Sequence, residues 1–386
     1  MFTGAYTLQR YIQKLVPDVR TAWCCQKCGF VPDRPPRVDF YARGSSVAMR
    51  GLAYCGSVWA CPVCAWYIQL KREKLVTDLF NKTISAGYGL VHVVLTFHHT
   101  KNSTCGDMLS LQRDAWLYMT RSRRYRDWKK RNSIKWYMRA LELTYSGVSG
   151  WHPHYHLVFV VDPLLDACEF EELYVMWADA VSNFGSYTSR DAYHYKVIKT
   201  ADAASIAVFS EYSTKGGGAW SLSHELTRSS TKFRSKGVTP FQLACMGLDG
   251  DDQAASLFVD YVTATRGARA HTWAGGWLKW AALVDTGEDV STDDVVFEDV
   301  PIDNSTLVLQ LSGDNWKLLG NAREQLIQSV IDRDGMALLT IFKYRGVYAA
   351  SVNPAWFNIS IDDLPFLFIS PHIRSSEKFA ESTVVC

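Results

Sequence analysis

The sequence predicts an α+β fold in which a central antiparallel β-sheet is flanked by helices. Residues 90–97 form a β-branched apolar run typical of a buried strand. Residues 136–145 and 155–161 have the pattern of two further strands, and the short polar segment 146–150 between them indicates a hairpin. Helical segments interrupt the strands, an order that favours α+β over a doubly wound parallel sheet.

The other elements follow from their periodicity. A strand is predicted over residues 193–199, and a small strand–helix–strand unit is predicted near the C-terminal end of the sequence. The helical patterns cover residues 107–126, 165–182 and 203–215, and the C-terminal unit covers residues 305–311, 321–332 and 336–344.

Composition divides the chain into four segments. Six of the ten cysteines lie within the first 66 residues, and residues 285–303 hold eight acidic residues and no basic one, which is typical of a solvated linker. The predicted organisation is a cysteine-rich module over residues 1–66, a mixed domain over 67–284, an acidic linker over 285–303 and a small accessory α+β domain over 304–386.

The net charge of +2 hides an uneven distribution. Residues 285–386 hold 7 Lys/Arg and 16 Asp/Glu, a net charge of −9, which leaves +11 on the rest of the chain. This balance is expected of a domain that faces a polyanion, and chance placement of surface charge is the alternative. No apolar run has the length of a signal peptide or a membrane span, so we expect a cytoplasmic protein whose cysteines are thiols or metal ligands.

Three histidines alternate in His152-Pro153-His154-Tyr155-His156, beside the apolar part of the second hairpin strand. Because side chains alternate along a strand, His154 and His156 point to one face with Cα atoms roughly 7 Å apart. Two imidazoles at that separation can bind one cation. A single strand histidine is usually structural, but three in alternation favour a metal site.

Glu142 lies on the hairpin strand before the turn and alternates with apolar neighbours. It can therefore face the same side of the sheet as His154 and His156. A carboxylate there completes a set of two histidines and one carboxylate with positions open for phosphate oxygens. An exposed strand glutamate is the alternative.

Tyr212 and Lys215 stand three residues apart on a predicted helix and so share one face. Tyr212 could attack phosphorus as a phenolate, and Lys215 could hold a phosphate or stabilise the phenolate. An unperturbed phenol is protonated at neutral pH, so the attack requires a polarised phosphate and local positive charge. This spacing is common on helix surfaces, and it gains meaning only from its position after the histidine strand.

Cys55, Cys61 and Cys64 form a compact group of thiolates to which an upstream cysteine can add a fourth sulfur. Four such ligands indicate a tetrahedral zinc site. Spacing alone pairs Cys25-x-x-Cys28 with Cys61-x-x-Cys64, whereas the other set combines Cys28 with Cys55, Cys61 and Cys64. The residues by themselves leave the fourth ligand open.

A basic segment with interspersed aromatic residues lies between the first strand and the hairpin. Positive charge follows a phosphate backbone and aromatic faces stack on unpaired bases, so the segment is a candidate DNA-binding surface. A solvated helix face is the alternative. Its residues are Arg121, Arg123, Arg124, Arg126, Lys129, Lys130, Arg131 and Lys135, with Tyr125, Trp128, Trp136 and Tyr137.

Two families place histidines in such alternation on a strand. In the HIT-type nucleotide hydrolases and transferases one histidine is the nucleophile, whereas in the HUH endonucleases the pair binds a divalent metal. The order Val91-His92-Val93-Val94-Leu95-Thr96-Phe97, then His152 to His156, then Tyr212-Ser213-Thr214-Lys215 resembles the three motifs of rolling-circle plasmid replication initiators of the HUH superfamily. Cys55-Gly56-Ser57-Val58-Trp59-Ala60-Cys61-Pro62-Val63-Cys64 and Gly237-Val238-Thr239-Pro240-Phe241-Gln242-Leu243 resemble the actinobacterial plasmid branch, and the resemblance spans residues 24–280.

The resemblance implies an HUH-type nicking domain over residues 67–284, with a zinc-binding module before it. Such a protein binds single-stranded or hairpin DNA of a plasmid double-strand origin and nicks one strand. Tyr212 stays joined to the 5′ phosphate, a host polymerase extends the 3′-OH, and the displaced strand is rejoined. His154, His156 and Glu142 hold Mg²⁺ or Mn²⁺. A transposase or conjugative relaxase of the same chemistry, a HIT-like enzyme and a non-catalytic zinc-dependent DNA-binding protein are the alternatives.

The resemblance also implies Cys28 as the fourth zinc ligand, because relatives usually carry one cysteine in the upstream segment.

This chain departs from the relatives at one position before the tyrosine. Relatives with a single tyrosine carry a glutamate one helical turn before it, where this chain has Val208. Glu211 is adjacent to Tyr212 in sequence and lies about 100° from it around the helix, so it is not an equivalent base. The chain has no G-x-x-x-x-G-K-[ST] phosphate loop, so a host helicase is expected as a partner. For termination, Tyr195 is a candidate second nucleophile, and Asp202 and Glu225 are candidate bases.

Overall fold

The structure, a computed structural model, describes most of the chain in seven stretches. The chain divides into two compact units, each with its own antiparallel sheet. One unit contains residues 14–19 and 56–296, and the other contains residues 1–13, 20–55 and 297–386. The described stretches are residues 5–29, 35–44, 46–162, 169–198, 237–274, 276–283 and 305–360.

Strands and helices are interspersed along the described stretches. The strands are β1 (Arg37–Arg43), β2 (Ser46–Arg50), β3 (Gly89–Leu95), β4 (Tyr137–Ser146), β5 (Gly150–Val161), β6 (His194–Ile198), β7 (His271–Ala274), β8 (Thr306–Ser312) and β9 (Ser351–Val352). The helices are α1 (Ala5–Leu15), α2 (Pro62–Ser85), α3 (Cys105–Arg121), α4 (Arg123–Arg131), α5 (Glu169–Ser182), α6 (Pro240–Leu248), α7 (Asp252–Ala264), α8 (Trp277–Trp280), α9 (Gly313–Leu319), α10 (Arg323–Asp332), α11 (Gly335–Arg345) and α12 (Pro354–Phe357). None of these helices combines the length and the apolar character needed to cross a membrane.

The five-stranded sheet confirms the predicted α+β class. Its strand order is β6-β3-β5-β4-β7 with every pairing antiparallel, and the predicted hairpin β4–β5 provides two of its three inner strands. Strand β5 begins at Gly150, earlier than the predicted strand over 155–161. It therefore includes the whole histidine segment, whose side chains alternate between the two faces of the sheet.

One face of this sheet is covered by α3, α4 and α5. Trp128 of α4 is fully buried and packs edge-on against Phe159 of β5, with ring centroids 5.7 Å apart, and against Phe170 of α5 at 5.6 Å. Odd-numbered side chains of β5 therefore point into an aromatic core on this side.

The opposite face receives the even-numbered side chains of β5. There Val158 joins a buried cluster with Val76 and Phe80 of α2 and with Trp277, whose ring stacks on Phe80 at 5.7 Å. This core covers one end of the face. The even-numbered residues at the other end of β5 are the histidines.

The predicted helix over residues 107–126 is two helices. Thr104 begins α3 with a capping box in which its hydroxyl accepts from the Asp107 amide. Ser122 interrupts the path with an extended backbone, and its hydroxyl accepts from the Tyr125 amide at 3.1 Å to begin α4. The break places most of the basic segment on α4, a separate short helix.

The β4–β5 turn depends on a glycine at residue 150. Gly150 has a φ of 81°, and a Cβ added there would lie 2.5 Å from the main-chain oxygen of Thr100. We expect Gly150→Ala to lower the free energy of unfolding by about 2 kcal/mol or more, measured by urea denaturation. Gly147→Ala in the same turn is the matched control, because a Cβ there meets nothing within 4 Å. An equal effect of both changes would contradict this account.

In the second unit, N-terminal and C-terminal segments share one sheet. Its order is β2-β1-β8-β9, with β1 paired to β2 on one side and to β8 on the other. The β1–β2 hairpin alone would be marginal in water, and pairing with β8 helps to bury Phe40, which packs against Trp316 at 6.3 Å. Residues from both ends of the sequence therefore contribute strands to this unit.

The predicted strand over residues 336–344 is wrong, because these residues belong to α11. The Asp334 side chain accepts from the Ala337 amide at 2.9 Å and begins the helix, and Gly346 ends it with a φ of 62°. Leu338 and Phe342, one helical turn apart, are both buried. The predicted strand over 305–311 and helix over 321–332 correspond to β8 and α10.

Candidate metal centres

The register of the β4–β5 hairpin places Glu142 directly opposite His154, and Ala140 directly opposite His156. All four residues therefore share one face of the sheet. The Nε2 atoms of His154 and His156 lie 2.6 and 2.8 Å from the same carboxylate oxygen, Oε2 of Glu142. The structure thus brings together the three side chains that the sequence predicted as one group.

This group is buried. Glu142 is 1% exposed, and His154 and His156 are 6% and 5% exposed. An exposed strand glutamate, the alternative interpretation of Glu142, does not fit this environment. A buried carboxylate requires a compensating positive charge, which a divalent cation or protonated imidazole can provide. The ligand atoms lie within 4.8 Å of one another, and two nitrogens with one carboxylate oxygen form a donor set suited to a divalent metal.

A second layer of polar contacts surrounds the histidines. His92 on β3 has its Nε2 atom 3.1 Å from Nδ1 of His156. His152 has its Nε2 atom 2.6 Å from Oγ1 of Thr96, and its ring lies beside that of His99. His92 was not predicted as a site residue, although alternation along β3 places it on the same face as Val94, the direct partner of His156.

Tyr195, proposed above as an alternative nucleophile, lies on β6 opposite Val93 of β3. Both residues belong to the face opposite the His–Glu group, and the Tyr195 ring stacks near Phe170 at 6.0 Å. Tyr195 therefore points away from the candidate centre. Several other residues discussed above lie outside the described residues: Tyr212, Lys215, Val208, Glu211, Asp202 and Glu225.

Cys24 is the upstream cysteine whose sulfur contacts Cys55, whereas the sequence predicted Cys28 as the upstream ligand. The Cys24 sulfur accepts from the Cys55 amide at 3.4 Å. Cys61 and Cys64 belong to the other unit, where the Cys61 sulfur accepts from the Cys64 amide at 3.5 Å. All four residues are buried, and cysteine thiolates are typical ligands of structural zinc.

Cys28 is held elsewhere by its backbone. It forms an antiparallel bridge with Leu52, and its sulfur lies beside Gly313, 3.2 Å from the position a Cβ would take there. Partial burial raises the pKa of the Cys28 thiol. Cys25 adopts a φ of 58°, and its sulfur lies 3.7 Å from that of Cys24. Because Cys24 and Cys25 are adjacent, the sequence offered no basis for choosing Cys24 as the upstream zinc ligand.

The basic segment forms the end of α3 and all of α4, and much of its charge is compensated. Arg124 pairs with Glu172 and Asp179 of α5, each at 3.3 Å, and Arg131 pairs with Glu172 at 2.5 Å. Lys129 is half-buried above the ring of Tyr137, and this burial lowers its pKa. The exposed members are Arg121, Arg123, Arg124, Arg126, Lys130, Arg131 and Lys135.

Helix α4 lies on the sheet face opposite the His–Glu group, because Trp128 packs on Phe159 while His154 and His156 point to the other side. The sequence did not predict this separation. A nucleic acid strand at His154 and His156 and one on α4 would occupy different faces of the same sheet.

An antiparallel sheet with two buried histidines and a buried carboxylate converging on one face defines the class: an α+β protein with a candidate divalent-metal centre. Residues 48–180 match the family model described as "Replication protein". This segment carries Cys55, Cys61, Cys64 and the complete His–Glu group. This part of the chain is therefore similar to replication proteins, in agreement with the resemblance of its motifs.

Two curated proteins are similar to this chain. "Protein rep" of Streptomyces lividans is 27% identical over 318 residues, which cover 66% of this chain and 68% of that protein. "Neomycin resistance protein" of Streptomyces cyanogenus is 24% identical over 144 residues, which cover 31% of this chain and 33% of that protein. No solved structure matches. The first similarity and the domain match confirm the predicted kinship with actinobacterial plasmid replication initiators.

Proposed function

We propose that this protein initiates rolling-circle replication by nicking single-stranded or hairpin DNA at a plasmid double-strand origin. The observation that carries the proposal is the convergence of His154, His156 and Glu142 on one buried point within a replication protein domain. The nearest alternative is a transposase or relaxase of the same chemistry, which would differ in its DNA target.

In this proposal His154, His156 and Glu142 hold Mg²⁺ or Mn²⁺. When bound, the metal supplies Lewis-acid polarisation of the scissile phosphate. The buried carboxylate balances part of the cation's charge, and the two imidazoles fix its position on the sheet face. The surrounding core keeps these three side chains in place before DNA binds.

Tyr212 supplies the nucleophile in this proposal, and Lys215 stabilises its phenolate. The phenolic oxygen bonds to phosphorus, the bond from phosphorus to the 3′ oxygen breaks, and the 3′ oxygen takes up the proton that the phenol loses. The products are a 5′-phosphotyrosine and a 3′-OH primer. The reverse reaction rejoins the displaced strand after one round of replication.

The exposed basic residues of α4 would contact a different part of the origin from the strand that is cut, since they lie across the sheet from His154 and His156. Phosphate contacts there would make binding strongly dependent on salt. The residues in ion pairs with Glu172 and Asp179 would exchange carboxylates for phosphates. A host helicase and a host polymerase complete the proposed set of partners.

We further propose that Cys24, Cys55, Cys61 and Cys64 bind a structural Zn²⁺. Cys24→Ser is expected to lose the zinc, because a hydroxyl replaces a thiolate ligand, whereas Cys28→Ser is expected to retain it. Zinc content per chain, measured by mass spectrometry of the metal after dialysis, separates the two. Zinc lost from Cys28→Ser and kept by Cys24→Ser would restore the ligand set implied by the resemblance.

The nicking proposal is tested by incubating the purified protein with Mn²⁺ and a labelled single-stranded oligonucleotide that carries the plasmid origin. We expect a site-specific nick, dependent on the metal, with the 5′ product joined to protein on a denaturing gel. A scrambled oligonucleotide is the control. Absence of cleavage by protein that binds Mn²⁺ would overturn the proposal.

A further inference from the structure

The side chain of His92 contacts the outer ring nitrogen of His156, a candidate metal ligand. Its Nε2 atom lies 3.1 Å from Nδ1 of His156, the ring nitrogen that points away from Glu142. The two rings are parallel within 2° and their centroids lie 5.4 Å apart. Rings at this separation with nitrogens in contact meet edge to edge, which is the geometry of an in-plane hydrogen bond.

The sheet register dictates this contact. On β3 the direct partner of His156 is Val94, and His92 is the next residue along the strand on the same face. Diagonal neighbours of this kind lie within reach of long side chains. His92 is thus brought to His156 by strand pairing, and it approaches from the side opposite Glu142.

A neutral imidazole carries one N–H and one lone pair. When Nε2 of His156 offers its lone pair to a metal, the proton of the ring must reside on Nδ1. An acceptor at Nδ1 then fixes both the tautomer and the ring orientation, and such outer partners typically contribute 10- to 100-fold to metal affinity. Nε2 of His92 lies where this acceptor is required, 3.1 Å from Nδ1 of His156. The corresponding contact of His154 is longer, 3.3 Å from Nδ1 to the main-chain oxygen of His152.

We propose that His92 is a positioning residue that holds His156 in the tautomer and orientation required to bind the divalent metal. This inference rests on the proposed function, since it assigns a role within the same centre. His92 contacts no reacting atom in this proposal and acts only through His156.

The test measures Mn²⁺ affinity directly, from the loss of the free-ion electron paramagnetic resonance signal on titration with the full-length protein. We expect His92→Phe to weaken Mn²⁺ binding about 10- to 100-fold. His92→Gln, whose amide oxygen can accept from Nδ1 of His156, is expected to restore most of the affinity. The matched control is His194→Phe, which makes the same change at an exposed residue on the same face of the neighbouring strand.

Cleavage provides a second measure. At saturating Mn²⁺ the His92→Phe protein should recover most of its rate, because the defect lies in metal binding. If His92→Phe does not fold, His92→Asn, whose amide is too short to reach His156, replaces it, and thermal unfolding checks both variants.

Two results would overturn the inference, and they are distinguishable. If His92→Phe binds Mn²⁺ as tightly as the unaltered protein while Glu142→Gln does not bind, the metal centre stands and His92 has no positioning role. If the unaltered protein and Glu142→Gln bind Mn²⁺ equally weakly, the metal centre itself fails, and the proposed function fails with it.

Discussion

Glu142→Gln is expected to abolish metal-dependent DNA cleavage. The carboxylate oxygen that both imidazole nitrogens approach becomes part of a neutral amide, which binds a divalent cation far more weakly. We expect Mn²⁺ affinity and the cleavage rate each to fall by at least about 100-fold, more than loss of an outer partner typically costs. Manganese titration and a denaturing-gel assay measure the two quantities.

Glu172→Gln is the matched control for this change. Glu172 is a carboxylate in the same unit, but it pairs with Arg124 and Arg131 on the opposite side of the sheet. Its replacement should leave Mn²⁺ affinity unchanged. Unaltered cleavage by Glu142→Gln would show that the buried carboxylate is not a metal ligand.

Tyr212→Phe is expected to eliminate both cleavage and the covalent product while leaving Mn²⁺ binding intact. Phenylalanine lacks the oxygen that bonds to phosphorus, and loss of a nucleophile typically lowers the rate by at least about three orders of magnitude. The same gel assay measures this effect. This result distinguishes the nucleophile from the metal ligands, because loss of a metal ligand is expected to remove both Mn²⁺ binding and cleavage.

Tyr195→Phe serves as the comparison. Tyr195 stacks near Phe170 on the face away from His154 and His156, so its hydroxyl should not contribute to the chemistry. We expect cleavage by this variant at close to the unaltered rate. Loss of cleavage in Tyr195→Phe with activity retained in Tyr212→Phe would reverse the assignment of the nucleophile.

The hairpin and its histidines could be predicted because both depend on local pattern. Strand side chains alternate strictly, so the spacing of His154 and His156 places them on one face whatever the rest of the fold. The turn over residues 146–150 brings Glu142 opposite His154. The short β4–β5 turn therefore determines how Glu142 is placed relative to His154 and His156.

Features that depend on contacts between residues far apart in the sequence could not be predicted. His92 reaches His156 only through the β3–β5 register, and β1 joins β8 across most of the chain. Cys24 lies beside Cys25 in sequence, so only the folded chain distinguishes their sulfurs. The helix over Gly335–Arg345 depends on the Asp334 cap and the burial of one helix face, which outweigh the apolar run that favoured a strand.

The most direct test of the central claim is to identify the peptide that carries the nucleotide after cleavage. Trypsin separates the candidate nucleophiles into three peptides, because Tyr212 falls in the peptide 200–215, Tyr195 in 191–196, and the histidines of the metal centre in 140–190. The protein is allowed to react with origin DNA and Mn²⁺, digested with trypsin and nuclease, and analysed by mass spectrometry. We predict a 5′-phosphonucleotide on peptide 200–215, attached to Tyr212. A nucleotide attached to His154 or His156 in peptide 140–190 would contradict the account and indicate a histidine nucleophile.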